Sequence, residues 1–512
     1  MKKFLVSLLI YAGIVTSALA NNIAVTNVSL FNRNTSSDYV SVKFDLTWEN
    51  SFRTSSGAAN WDAAWVFVKY KIGETGEWKH ASLSTNGAHH SIPSGGTSFQ
   101  TDATGIFLYR NANGNGTFEL DGVELRWNYG TDGVPDESKI YVKVFAIEMV
   151  HVPEGDFQLG SGGQNTGEFR QANDVSTTGT AATFTITSAT PTLQGNNTAS
   201  SPTNISTRAG AGNDQMTATT SVTLNANFPT GFNAFYCMKY EISQGQYRDF
   251  LNTLTYAQQE NRTANAPNSA IGTGALTTAG NSRNSIEIST SGTSGSFPAI
   301  YGCDLNNNNT YNEGGDGEWI ACNYLSWEDV AAYLDWAGLR PITELEYEKV
   351  CRGTEAPVED EFSWGGTSIT GLTAVNNDGQ LNETSNTNNA NALFNNLFNS
   401  GPARAGIFAT GSNNRIDAGS SFYGVMEMSG NLWEQIIAVG NSTGRSYTGI
   451  VGNGILDSNG LANTADWPNY TGTGLRGGSW ESLEAQLRTS DRNSATQGSS
   501  TRTNNTGGRG GR

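Results

Sequence analysis

The chain has 512 residues, with 30 basic and 47 acidic side chains and a net charge of −17. That balance repels nucleic acid and anionic lipid, so neither is an expected partner, and it suits calcium or a neutral ligand. The length allows two or three domains at roughly 100–200 residues each, and 12 Trp, 18 Tyr and 22 Phe can fill a large core.

Residues 1–20 read as a secretory signal peptide, with Lys2 and Lys3 as the basic start, Phe4 to Val15 as the apolar stretch and Ala18-Leu19-Ala20 as the cleavage site. The apolar run is shorter than the roughly 20 residues a membrane span needs. No second run of that length follows. The expected product is secreted or held at the cell surface, in the periplasm or outside the cell, without a transmembrane segment.

Residues 21–147 carry short alternating strands: Val40 to Trp48, Ala64 to Tyr70, Phe118 to Leu120, Val123 to Trp127 and Ile140 to Phe145. Period-two alternation separated by Gly, Ser and Asn predicts an all-β, sandwich-like domain. Its Trp residues are expected in the core. A Ser/Thr/Gly-rich insert follows at 161–230, in which Ala182 to Thr187 can form a surface hairpin.

Three helices are expected next. The first covers Ser243 to Leu254, with Ser243 as cap and Tyr247, Phe250, Leu251 and Leu254 at helical spacing. The second starts near Ser326 and carries Trp327, Val330, Ala331, Leu334 and Trp336 as its apolar stripe. The third starts near Thr343, where Thr343 and Glu346 have capping-box spacing. Glu344 and Glu348 on it read as helix surface. The 366–423 stretch, rich in Asn and Gly, reads mostly as coil.

Four cysteines in a chain of this class suggest two disulfides among three possible connectivities. The pairs favoured are Cys303 with Cys322, closing a polar loop, and Cys237 with Cys351, tying a strand to the third helix; buried free thiols are the alternative. Inside the first pair, Asp304, Asn306 and Asn308 stand at positions one, three and five of a calcium-loop spacing, with Asp316 or Glu313 available to complete it. Asn309 takes the place of the turn glycine, and a polar loop without metal competes with this reading.

The most informative motif is Gly424-Val425-Met426-Glu427-Met428-Ser429-Gly430-Asn431-Leu432-Trp433-Glu434, followed by Leu475-Arg476-Gly477-Gly478-Ser479-Trp480. Ahead of it stand Met149 to Gly160, Phe235 to Ser243, Asn323 to Trp327, Leu339 to Glu348 and Phe362 to Gly365. In this order the segments resemble the formylglycine-generating enzyme (sulfatase-modifying factor) family over residues 148–512. The resemblance implies an α+β chain, in which the β-sandwich-like domain precedes a C-type-lectin-related α/β domain with much irregular coil. It also implies a calcium site with side-chain oxygens from Glu427 and Glu434 and carbonyls from Gly430 and Leu432. Glu427 replaces a neutral amide there, and an added carboxylate strengthens calcium binding. The end, Gly507 to Arg512, resembles the family's closing strand, with Gly508 in place of an aromatic residue.

The enzymes of this family use two cysteines, which also bind copper, shortly after the Gly-Gly-Ser-aromatic turn. Here Trp480 to Arg492 contains none, and Ser or Thr does not replace thiolate as a copper(I) ligand. Related iron enzymes use clustered histidines. This chain has only His80, His89, His90 and His151, so neither copper nor iron is expected and no catalytic residue is assigned. The favoured reading is a non-catalytic, calcium-stabilised protein that binds an extracellular protein or glycan. Its expected binding face is the polar stretch with Arg488, Ser490, Arg492, Asn493, Arg502 and Asn504. The alternatives are a formylglycine-generating-type oxidoreductase with an unrecognised ligand set and a diversified lectin-fold receptor.

Overall fold

The computed structural model describes residues 22–174, 181–187, 191–193, 203–208, 222–410 and 413–512. The expected leader and part of the 161–230 insert lie outside the described residues. The fold is α+β and rich in strands, with few and short helices.

Three antiparallel strands, Ala24–Asn34, Tyr39–Arg53 and Gly114–Trp127, form one sheet. The last of these unites the two short strands expected at Phe118 to Leu120 and Val123 to Trp127. A register shift opposite Phe44 to Leu46 lets the chain continue through Gly122, at φ 78°, whose N–H donates to Asp45 Oδ1 at 2.6 Å. This bulge is what a Gly inside a strand pattern signals.

A larger sheet runs in the order Arg340–Pro341, Gly510–Gly511, Phe235–Met238, Ile140–Val152, Asp62–Ile72, Ile106–Arg110 and Gly96–Phe99. In Asp62–Ile72, Ala64, Val66 and Val68 face the three-stranded sheet and pack with Val42, Phe44, Leu46 and Trp48. Ala63, Trp65 and Phe67 point the other way, onto the helical layer. The strand is therefore buried on both faces by simple alternation.

The boundary expected at 147/148 falls inside the strand Ile140–Val152. It pairs along its whole length with Asp62–Ile72, and at its far end with Phe235–Met238. The N-terminal β-layers and the later segments thus share one sheet.

The three expected helices are present as α1 (Gln244–Leu251), α3 (Trp327–Trp336) and α4 (Glu344–Arg352), and the chain adds α2 (Tyr256–Arg262) between the first two. Ser243, Thr255, Ser326 and Thr343 each close a capping box with the residue three positions on. Such boxes satisfy two otherwise orphaned amides reciprocally. The α2 helix escapes a hydrophobic pattern because Gln259 and Arg262 stand among its buried residues.

The cysteines correct the disulfide expectation. Cys237, Cys303, Cys322 and Cys351 are all free and buried. The expected partners do share core clusters, Cys237 with Cys351 and Cys303 with Cys322. A disulfide needs its sulfurs about 2.05 Å apart, and here Cys237 and Cys322 instead turn their Sγ toward the Met238 and Asn323 carbonyls, at 3.6 and 3.7 Å.

Candidate functional site

The Gly424 to Glu434 segment folds as an irregular turn in the core. Glu427, Gly430 and Asn431 take left-handed backbone at φ 52°, 97° and 64°. Gly430 is forced, since a Cβ there would lie 2.5 Å from the Leu393 carbonyl oxygen. The Gly430 N–H donates to Gly477 O at 2.8 Å and the Trp480 N–H to Asn431 O at 2.7 Å, so the two halves of the motif lock together.

Three carboxylates converge on this turn. Glu241 accepts from Asn431 Nδ2 at 2.5 Å and from the Leu432 N–H at 2.9 Å. Glu427 Oε1 accepts from the Gly406 N–H at 2.8 Å, and Glu434 Oε1 pairs with Arg509 Nε at 2.5 Å. Burial pushes the Glu427 carboxyl up to about 7, against the pull of Arg509. Burial and then the charge of Glu434 push Glu241 well above the usual carboxylate range. Glu427 Oε2 and Glu434 Oε2 are buried without a partner, and no described residue donates to the carbonyls of Gly430 or Leu432. The four positions expected to hold calcium thus each keep an oxygen without a donor, but among the described residues no three His, Cys, Asp or Glu side chains are grouped to hold a metal ion, these carboxylates included, and the Arg509 guanidinium already meets Glu434. Glu241 was not singled out from the sequence; its signal is an acidic residue directly between Tyr240 and Ile242 at the edge of an apolar strand.

Glu344 and Glu348 correct the helix-surface expectation, because both are fully buried. Arg492 grips Glu344 through Nε at 2.7 Å and Nη2 at 3.1 Å, and Arg476 reaches Glu348 at 2.9 Å and Glu344 at 3.4 Å. Arg352 joins Glu348 at 3.3 Å, pairs with Glu361 and donates to Ser490 Oγ at 2.8 Å. The Arg of the Arg-Gly-Gly-Ser-Trp motif is therefore a structural cation at the centre of this network.

The same network buries two residues of the expected binding face, and the other four are half-buried. Arg492 and Ser490 are 0% exposed and unable to meet a partner. Arg502 is spent on Asp329 at 2.7 Å, and Asn504 Nδ2 donates to Glu481 Oε1 at 2.7 Å. Arg488 pairs with Asp360 at 2.8 Å, and Asn493 is half-buried. Polar composition misleads at Arg492, whose partner Glu344 lies inside the chain and far away in sequence.

In the 304–316 loop, Asp304 accepts from the Asn308 and Asn309 amides at 3.0 and 2.8 Å. Asp316 accepts from Asn306 Nδ2 at 2.6 Å and from the Glu313 N–H at 2.7 Å. Asn307 and Asn309 adopt left-handed backbone, at φ 56° and 63°. Among the described residues no three His, Cys, Asp or Glu side chains stand as a closed metal-ligand set. The loop holds its shape through its own amides. The histidines are likewise dispersed: His151 stacks on Trp61 at 3.9 Å, His80 bonds the Thr104 carbonyl, and His89 and His90 bond Ser84.

A cleft with a volume of about 540 Å³ lies between the strand Ile140–Val152 and α1. Phe145 and Trp336 form its apolar floor, and Asp249, Glu313, Glu318 and Arg248 its polar rim. Its size falls in the ordinary range for ligand sites. Among the described residues, no helix is long and apolar enough to cross a membrane.

A family model for the sulfatase-modifying factor enzyme 1-like domain matches residues 189–509. No curated protein matches the chain.

Proposed function

The chain belongs to the sulfatase-modifying factor enzyme 1-like domain family, and from that premise we propose that it is a non-catalytic, calcium-stabilised member that works outside the cytoplasm by binding. The observation that carries this reading is the placement of its thiols. The segment after Trp480 has none. Burial pushes Cys237, Cys303 and Cys351 up to about 12 and Cys322 well above the usual thiol range, so none is poised as a thiolate. After Trp480, Ser482 Oγ lies 3.0 Å from Ser479 Oγ and accepts from the Ser479 N–H at 2.9 Å.

Calcium at Glu427, Gly430, Leu432 and Glu434 would add positive charge to three buried carboxylates that Arg509 and Arg404 face. The role is structural: it holds the left-handed turn that joins the two motif halves. The C-type-lectin-related topology inherited from the family suits a binding role. In this reading the ligand, an extracellular protein or glycan, meets the cleft floored by Phe145 and Trp336, where aromatic faces and carboxylate acceptors stand side by side.

Elemental analysis of the purified protein after mild dialysis tests the proposal. Calcium alone, with a lower melting temperature after chelation, is the expected result. Copper or iron near one per chain would overturn it in favour of an oxidoreductase.

A further inference from the structure

Where the strand Phe235–Met238 ends, three buried ionisable side chains meet across three neighbouring strands. Lys239 follows that strand, Glu148 lies on Ile140–Val152, and Asp62 opens Asp62–Ile72. Lys239 Nζ stands 2.9 Å from Asp62 Oδ2 and 3.1 Å from Glu148 Oε2. The three residues are 4%, 0% and 3% exposed. One ammonium is thus shared by two carboxyl groups in a site closed to water.

The surroundings single out Asp62. Its Oδ1 accepts from Ser51 Oγ and from the Phe52 N–H, both at 2.9 Å, and its Oδ2 accepts from Trp48 Nε1 at 3.1 Å. Two donors on one oxygen form an oxyanion cradle if Cγ becomes tetrahedral. Phe52 and Tyr240 wall the ammonium at 5.8 and 5.5 Å. Glu148 Oε1 is buried without a partner. Burial pushes the Glu148 carboxyl up to about 7, so near neutral pH it retains a proton to give. Burial opposes the Lys239 charge, and Asp62, Tyr240 and Glu148 together more than offset it, so the ammonium persists until its proton passes to Asp62.

We propose that Lys239 and Asp62 condense into an intramolecular isopeptide bond, with Glu148 as the proton shuttle. The proton on Lys239 moves to Asp62, leaving a neutral amine and a neutral acid, the pair that can react and whose cost burial lowers. Nζ attacks Cγ, and the developing oxyanion on Oδ1 rests on Ser51 and Phe52. Glu148 gives its proton to the leaving oxygen Oδ2 and takes one from the nitrogen. The C–O bond breaks, one water departs, and Glu148 ends protonated as it began. Atoms and charge balance without oxidant, metal or nucleotide. Fixed proximity supplies the driving geometry, as intramolecular reactions reach effective molarities of about 10⁵–10⁸ M. The bond would join the N-terminal layers covalently to the family domain.

Peptide mapping of the full chain decides the matter. Trypsin acting on an unlinked chain releases residues 54–69 as one peptide and cuts after Lys239. The expected result is a single branched species in which 54–69 is attached at Lys239, with no cleavage there and a mass lower than the sum by one water. Two separate peptides with free Lys239 would overturn the proposal, and this measurement needs no variant to fold. In Glu148→Gln the branched species should fall at least tenfold while the far-ultraviolet spectrum stays native. Undiminished linkage in a folded Glu148→Gln protein would remove Glu148 from the reaction.

Discussion

Arg509 Nε lies 2.5 Å from Glu434 Oε1, and both side chains are buried. The pair ties the last residues of the chain to the core motif, because Arg509 directly precedes the short strand Gly510–Gly511 that closes the large sheet. Removing one partner of a buried pair leaves an uncompensated charge, which costs about 3–5 kcal/mol. Arg509→Met should lower the unfolding free energy by that amount, read as an earlier denaturation midpoint. The double variant Arg509→Met with Glu434→Gln should recover much of the loss; equal destabilisation in both would show that the pair itself contributes little.

What the sequence discloses and what it conceals divide along the range of the interactions. The helix starts are legible because Ser243, Ser326 and Thr343 meet their capping partners three residues on. The turn around Gly430 is legible as a motif. The burial of Glu344 is not, since its partners Arg476 and Arg492 lie more than a hundred residues away. Gly508 illustrates the opposite case. Read alone, it is a missing anchor; in the fold, a Cβ there would stand 2.9 Å from Val330 Cγ2, so the close approach leaves no space for a side chain. The strand Ile140–Val152 hides the joint between the two halves because alternation carries no mark of where a domain ends.

Arg492 distinguishes a buried strut from a binding face. Its bidentate grip on Glu344 and its stacking over Phe169, at 4.2 Å to the ring centre, make it part of the core. Arg492→Ala should destabilise the protein by about 3–5 kcal/mol, read as an earlier urea transition. Wild-type stability with altered ligand binding would instead restore it to a surface role.

The thiols are expected to be silent in the folded protein. Burial raises all four, and none is exposed to reagent. Iodoacetamide at pH 8 should leave the native chain unlabelled, and unfolding without reductant should release four reactive thiols per chain. Two or none after unfolding would show that the neighbours in each core cluster had joined as disulfides.

His151 gives the chain an acid-sensitive element. Burial, with Lys349 and Arg53 nearby, lowers it from 6.5 to about 4, so the folded protein keeps the ring neutral where the unfolded chain protonates. Between those values the unfolded state binds more protons, and stability rises with pH. The contribution is complete above about 6.5 and is lost as pH falls toward 4. Glu148, pushed up to about 7, acts in the opposite direction over much of the same range, so the wild-type curve alone does not isolate His151. His151→Phe keeps a ring to stack on Trp61 but carries no proton. Melting temperatures from pH 7.5 to 4.5 should therefore fall less for the variant than for the wild type, with the two curves separating below about pH 6.5. Parallel curves would mean that the ring is protonated in the folded state as readily as in the unfolded one.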